Sequence, residues 1–194
     1  MLAHSLRPHS MEGHMALYKN VLHHAENTVG KWFLEVIGVF VSQLNTCPYC
    51  VDHHFEGLKR LLNDDTKANA IKKALMTELY ALDTEGPALK TDPALKMEPA
   101  LKTDPYDSVF STKESIALLY AKKLTISPST MVESDVDKMR ESGWNDGEIL
   151  EINQVAAYFN YANRTVLGLG VTTQGDHLGL SPNDSSDPKN WKHA

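Results

Sequence analysis

From Trp32 to Val41 the chain reads Trp-Phe-Leu-Glu-Val-Ile-Gly-Val-Phe-Val, and Glu35 is the only ionisable side chain in the run. A helix that is apolar on nearly all sides belongs at the centre of a helical assembly, with other elements packed around it. The run has about half the residues needed to span a bilayer, so the surroundings it calls for are protein. A carboxylate taken into such a place must find a hydrogen-bond or charge partner, or hold a proton. The chain therefore has to wrap helices around this segment and bring a partner to Glu35.

The remaining periodicity is helical throughout. His14 to His24 places Met15, Leu17, Tyr18, Val21 and Leu22 on one broad face. Asn27 and Thr28 are candidate caps for the apolar helix, which runs to about Leu44, where Asn45 and Thr46 break it. Pro48 suits the first turn of a third helix continuing to about Asn63, and a fourth spans Asp65 to Leu82. Thr112 to Leu124 turns Ile116, Leu119, Tyr120 and Leu124 inward, and Pro128 stops it. Ser134 or Asp135 opens a short helix ending near Gly143. Asp146 then caps a long one in which Ile149, Ile152, Val155, Ala156, Phe159, Val166 and Leu167 recur, ended by Gly168 and Gly170. No segment alternates as a half-buried strand would. The expected fold is all-α, a single compact helical domain.

Two stretches stand apart. Residues 87–105 hold three successive units, Pro-Ala-Leu-Lys-Thr-Asp, Pro-Ala-Leu-Lys-Met-Glu and Pro-Ala-Leu-Lys-Thr-Asp, then Pro105. Solenoid repeats need roughly 20 or more residues per unit, so this repeat reads as a surface loop. Residues 172–194 are rich in Gly, Pro, Ser and Asp and read as an irregular tail pinned by Trp191.

With 194 residues the chain can bury a core without a metal or disulfide to hold it. Its net charge of −6, with Lys and Arg scattered among carboxylates, excludes a general nucleic-acid or acidic-membrane surface. Met1 to His9 lacks the apolar centre of a signal peptide, so a cytoplasmic protein with no membrane span is expected. Two cysteines close together in such a chain read as a redox or metal motif rather than a structural framework.

Those cysteines lie in Cys47-Pro-Tyr-Cys50-Val-Asp-His-His54. On a helix Cys50 falls about 60° from Cys47 and His54 about 20° to the same side, on a stripe continuing into Leu58 and Leu61. His53 sits about 100° further round, at the polar edge, so His54 is the candidate partner. The types suit thiol chemistry. Only a thiolate attacks a peroxide, and an ordinary cysteine at about 8.5 is mostly protonated at neutral pH. Helix-start N–H groups favour the anion, and an imidazole one turn on can take the proton. A second thiol three residues away can condense with a sulfenic acid before it over-oxidises. Glu35 lies about 10 residues before the turn between the second and third helices and His54 about 8 after it, so antiparallel packing sets them at similar depth. A Glu35–His54 contact would satisfy the acid and raise the basicity of the ring.

Glu35 and Cys47-Pro-Tyr-Cys50-Val-Asp-His-His54 together resemble the Glu…Cys-x-x-Cys-x-x-x-His signature of alkylhydroperoxidase D-like proteins, the redox branch of the carboxymuconolactone decarboxylase-like superfamily. Asn153-Gln-Val-Ala-Ala-Tyr-Phe-Asn-Tyr-Ala-Asn-Arg-Thr-Val-Leu-Gly-Leu-Gly170 is similar to the C-terminal helix of its peroxidase-related subgroup. The resemblance implies a thiol-dependent peroxidase acting in antioxidant defence on hydrogen peroxide or organic hydroperoxides. Cys50 would be the peroxidatic sulfur, Cys47 the resolving and more accessible one, and Glu35 with His54 the proton relay. It also implies a homo-oligomer, a lipoyl-carrying or thioredoxin-like dithiol reductant, and no metal or flavin. Tyr49 stands where alkylhydroperoxidase D itself has a second histidine, and the Pro-Ala-Leu-Lys repeat lies outside the family pattern.

Two other readings of the dithiol stay open. One is a disulfide exchange protein or redox sensor without peroxidase turnover. The other is a zinc-stabilised helical interaction module, with His54 and one of His23, His24 or His53 completing the ligands. The other histidines, among them His14 and His53, share no spacing and read as solvated or capping groups. Asn160, Asn163 and Arg164 read as polar contacts to a neighbouring helix or subunit, and Phe159 and Trp32 as core.

Overall fold

The computed structural model describes residues 4, 6–84, 109–176, 178 and 179. They form α1 (Pro8–Leu22), α2 (Lys31–Leu44), α3 (Pro48–Leu62), α4 (Asp65–Thr84), α5 (Thr112–Ile126), α6 (Glu133–Glu141) and α7 (Asp146–Gly168), with a 3-10 turn at Pro128–Thr130. No strand occurs among the described residues, and the fold is all-α. The repeat at 87–105 and Trp191 lie outside the described residues.

The apolar run occupies the place its composition demands. Every residue of α2 from Phe33 to Gln43 is buried, and α1, α3, α4, α5 and α7 all pack against it. Ile37, Phe40, Leu58, Ile71, Leu118, Ile152 and Phe159 are among the large side chains fully shielded around it. Burial of one such side chain contributes about 1.5–3 kcal/mol, so this shared core is what orders the helices.

Helix ends depart from expectation where a tertiary contact supersedes a local cap. α1 begins at Pro8, six residues before His14, because Pro8 fills a first-turn position needing no N–H. Asn27 and Thr28 do not cap α2. Its N-cap is Gly30, and the Thr28 and Val29 N–H groups donate to Glu151 on α7 at 3.0 and 2.8 Å. Asn145 rather than Asp146 caps α7, through a reciprocal box with Glu148, and Ser111 caps α5 in the same way with Glu114. α6 opens one residue ahead of Ser134, where Asp135 accepts from the Val132 N–H and from Lys123. Leu17, Leu119 and Leu167, expected inside, are exposed.

One close approach sets the depth of the site. A methyl group placed on Gly38 would stand 2.3 Å from the Phe159 ring, so α2 and α7 meet there only because the residue is glycine. Gly38→Ala is expected to cost about 1–3 kcal/mol through overpacking. Urea unfolding measures the loss, and the double variant with Phe159→Leu is expected to recover part of it.

Candidate active site

The turn from α2 to α3 delivers the cysteines. Thr46 takes a left-handed backbone, φ 54°, and its N–H donates to the Gln43 carbonyl at 2.9 Å. The Cys47 N–H donates to the Ser42 carbonyl at 2.9 Å, which fixes Cys47 as the N-cap of α3, with Pro48 in the first turn. Cys50 follows one turn later. Both cysteines are reduced, and the Cys47 thiol meets Cys50 Sγ at 2.8 Å. Such a pair is poised to close a disulfide. The expectation that Cys47 is the more accessible sulfur is overturned: Cys47 is 0% exposed and Cys50 5%. An N-cap side chain on so short a connection lies in the corner between the helices instead of projecting from the helix end.

Glu35 finds its partner in His54. Oε2 of the carboxylate, 1% exposed, lies 2.7 Å from Nδ1 of the ring. Nδ1 is thereby committed, and Nε2 is the nitrogen left to exchange a proton. Phe159 presses edge-on against the ring at 4.5 Å between centroids and Tyr18 lies at 6.4 Å, so the imidazole is held by aromatic walls. The second carboxylate oxygen, Oε1, is buried with no partner among the described residues. Tyr158 of α7 packs on Tyr18 and Phe159, with ring centroids 5.8 and 5.4 Å away, and burial pushes its hydroxyl well above the usual phenol range.

His53 and His54 are almost equally shielded, with 19% and 16% of their side chains exposed, so depth does not separate them. Direction does. His53 faces Tyr49, whose ring centroid is 4.5 Å away, and Asp176, at 3.5 Å, rather than solvent. Burial first, and then the Asp176 carboxylate, push the Tyr49 phenol up to about 12. Arg60 donates to the carbonyls of Leu178 and Gly179, and a Cβ at Gly179 would meet Glu56. Asp176, Leu178 and Gly179 therefore lie along α3, on the outer side of the dithiol helix. His14 is likewise no solvated group: it packs on Tyr158 and Tyr161, and burial lowers its pKa.

Burial also pushes the Cys50 thiol up, and the sulfur of Cys47 adds to the effect because a negative charge on both is unfavourable. The linkage has a definite sign. In the unfolded chain Cys50 ionises near the ordinary value of about 8.5, whereas in the fold it stays neutral to higher pH. The stability this contributes is complete below about pH 8.5 and declines as the pH rises. The reduced protein is expected to lose stability between about pH 8.5 and 10, and the Cys47–Cys50 disulfide form to lose less, as chemical denaturation of the two forms at each pH would measure.

Among the described residues no three His, Cys, Asp or Glu side chains converge to hold a metal, so the zinc reading has no ligand set there. No helix among them is long and apolar enough to cross a membrane. What the sequence reading missed is the inner face of α7. Asn160 and Asn163 do contact neighbouring helices: Asn163, 0% exposed, donates to Ser42 Oγ at 3.0 Å, and Asn45 Nδ2 donates to Asn160 Oδ1 and Asn163 Oδ1 at 3.0 and 2.9 Å. An amide inside an apolar helical stretch was the available signal.

The all-helical fold is shared with solved structures described as peroxidase-related or AhpD-like. The chain has the fold of a peroxidase-related protein from Silicibacter sp. TM1040, with TM-score 0.65, 22% identity, and coverage of 88% of this chain and 73% of that one. An alkylhydroperoxidase AhpD core protein from Ralstonia eutropha JMP134 matches at TM-score 0.65 and 20% identity, over 87% of this chain and 73% of that one. A protein from Agrobacterium tumefaciens ascribed to AhpD-type antioxidant defence matches at 0.59 and 16%, over 89% and 95%. No family model and no curated protein matches the sequence.

Proposed function

We propose that this protein is a cytoplasmic thiol-dependent peroxidase that reduces hydrogen peroxide or a small organic hydroperoxide through Cys50 and Cys47. The observation that carries the proposal is the pairing of two sulfurs 2.8 Å apart with a buried Glu35–His54 hydrogen bond of 2.7 Å on the same pair of helices. Burial that keeps the Cys50 thiol protonated makes a base necessary, and this pair is the base at hand.

In the first step His54 takes the Cys50 proton, directly or through a water, and Glu35 stabilises the imidazolium. The thiolate attacks the outer peroxide oxygen, the O–O bond breaks, and Cys50 becomes a sulfenic acid. The departing alkoxide or hydroxide takes the proton back from His54. Cys47, as thiolate, then attacks the Cys50 sulfur; the S–O bond breaks, the hydroxide takes up a proton, and water and a disulfide result. An external dithiol, lipoyl-borne or thioredoxin-like, returns two electrons and two protons. The net change is hydroperoxide plus dithiol to alcohol, water and disulfide. A homo-oligomer belongs to the same proposal, and the exposed Tyr161, Leu167 and Leu169 on and just after α7 favour it.

The test is mass-spectrometric mapping after one equivalent of peroxide. The wild type is expected to give the Cys47–Cys50 disulfide and Cys47→Ser a sulfenic acid trapped at Cys50. Sulfenate on Cys47 in a Cys50→Ser variant, with none on Cys50 in Cys47→Ser, would reverse the roles. A disulfide that forms but never turns over with dihydrolipoamide or thioredoxin would instead mark a disulfide exchange protein or redox sensor.

A further inference from the structure

The end of α2 closes on itself through two nested backbone hydrogen bonds. The Cys47 N–H reaches back to the Ser42 carbonyl and the Thr46 N–H to the Gln43 carbonyl, both at 2.9 Å. Helices commonly stop in this way, with a left-handed residue, ordinarily glycine, at the turning point. Here that residue is Thr46, at φ 54° and exposed. A β-branched side chain is strained in that region, and such a conformation persists only where neighbouring contacts hold it. The turn leaves Cys47 0% exposed, so the strained conformation is also the one that buries the sulfur.

Contacts that can hold it come from α7. Asn163, itself 0% exposed, donates from Nδ2 to Ser42 Oγ at 3.0 Å and accepts at Oδ1 from Asn45 Nδ2 at 2.9 Å. Ser42 accepts the outer backbone bond of the turn, and Asn45 immediately precedes Thr46. One amide therefore grips the turn at both ends. Asn45 Nδ2 also donates to Asn160 Oδ1 at 3.0 Å, an oxygen that Arg164 Nη1 marks as an acceptor from 2.8 Å, because a guanidinium can only donate.

We propose that Asn163 is a positioning residue that clamps the α2–α3 turn shut over Thr46, and that opening of this turn presents Cys47 to a reductant. The second part rests on the reading of Cys47–Cys50 as a disulfide that an external dithiol resets. In that reset one thiolate of the dithiol attacks Cys47 Sγ, the S–S bond breaks, and Cys50 leaves as a thiolate that takes up a proton. The second thiolate of the dithiol then attacks the first sulfur, which releases Cys47 to take up a proton and closes the reductant's own disulfide. An in-line attack cannot reach a sulfur with no exposed surface, so the turn has to loosen. Strain at Thr46 favours loosening, and the Asn163 clamp opposes it.

The experiment uses the full chain with Cys50→Ser, which leaves Cys47 as its one thiol, and follows the reaction of Cys47 with the aromatic disulfide DTNB. Asn163→Ala is expected to speed the reaction about tenfold, because two hydrogen bonds on the turn are lost. Thr46→Gly relieves the left-handed strain and is expected to slow it about fivefold. The double variant is expected to fall between them. Glu151→Gln weakens the hold on the opposite end of α2, at the Thr28 and Val29 N–H groups, and is expected to leave the rate within about twofold of the parent. A general loss of stability would not make that distinction.

An Asn163→Ala rate equal to the parent's, a Thr46→Gly rate above it, or an equal rise in Glu151→Gln overturns the inference. If Asn163→Ala does not fold, Ser42→Ala decides, because it removes one of the two grips: acceleration of about threefold supports the clamp and none overturns it. The same substitutions in the chain with both cysteines, oxidised beforehand, test the reset. Reduction by dihydrolipoamide is expected to follow the same order. The expected order with DTNB, on a disulfide that dihydrolipoamide and thioredoxin leave intact, upholds the clamp and removes the reductant reading. Reduction at one common rate in every variant keeps that reading and overturns turn opening as its route.

Discussion

Cys50→Ser is expected to bring peroxide consumption down to the uncatalysed background, a loss of at least about 10³-fold. Removing a nucleophile takes away the bond-forming step itself and leaves only binding and electrostatics. A serine hydroxyl at this place is far from ionising, and its oxygen is a poor nucleophile towards peroxide oxygen. Cys47→Ser should behave differently. It retains one stoichiometric oxidation and then stops, because the sulfenic acid has no resolving thiol 2.8 Å away. Stopped-flow peroxide consumption with dihydrolipoamide separates the two: no burst for Cys50→Ser, and a burst of one equivalent without turnover for Cys47→Ser. Turnover by Cys50→Ser at the wild-type rate would dismiss the dithiol mechanism.

Glu35→Gln is expected to slow the oxidation of Cys50 by about 10²-fold, the ordinary worth of positioned acid–base catalysis. The substitution preserves shape and can still hydrogen-bond His54 Nδ1, so packing beneath Phe159 should persist. What is lost is the carboxylate oxygen that meets His54 Nδ1 at 2.7 Å and that, in the proposed step, balances the charge the ring gains with the thiol proton. Without it proton transfer to the ring has no counter-charge, from a thiol that burial already holds protonated. The deficit should shrink as pH rises, because hydroxide then removes the Cys50 proton without the relay. Single-turnover oxidation rates between pH 6 and pH 10 are the measurement, and a pH-independent deficit would assign Glu35 a merely structural role.

The candidate site was legible in unusual detail because its parts lie within 20 positions, Glu35 to His54, on two helices joined by one short turn. Helical spacing fixes direction, and the turn fixes relative depth, so the 2.7 Å contact followed from counting residues. Helix ends were less legible. Asn27 and Thr28 have the chemistry of caps, yet Glu151, over 120 positions away, takes the Thr28 N–H. The orientation of His53 was hidden for the same reason, since Asp176 lies far along the chain. Gly38 gave no sign that it admits Phe159.

By itself, then, the sequence determined the helical class, the central place of α2, the dithiol and the partner of its one carboxylate, all of which follow from periodicity within a single helix or across a single turn. Only the tertiary structure decided how deeply the sulfurs are shielded, what covers α3, and which amide from α7 reaches Ser42. Those depend on contacts between segments a hundred or more residues apart, and such contacts are set by the packing of the whole core, which no local period encodes.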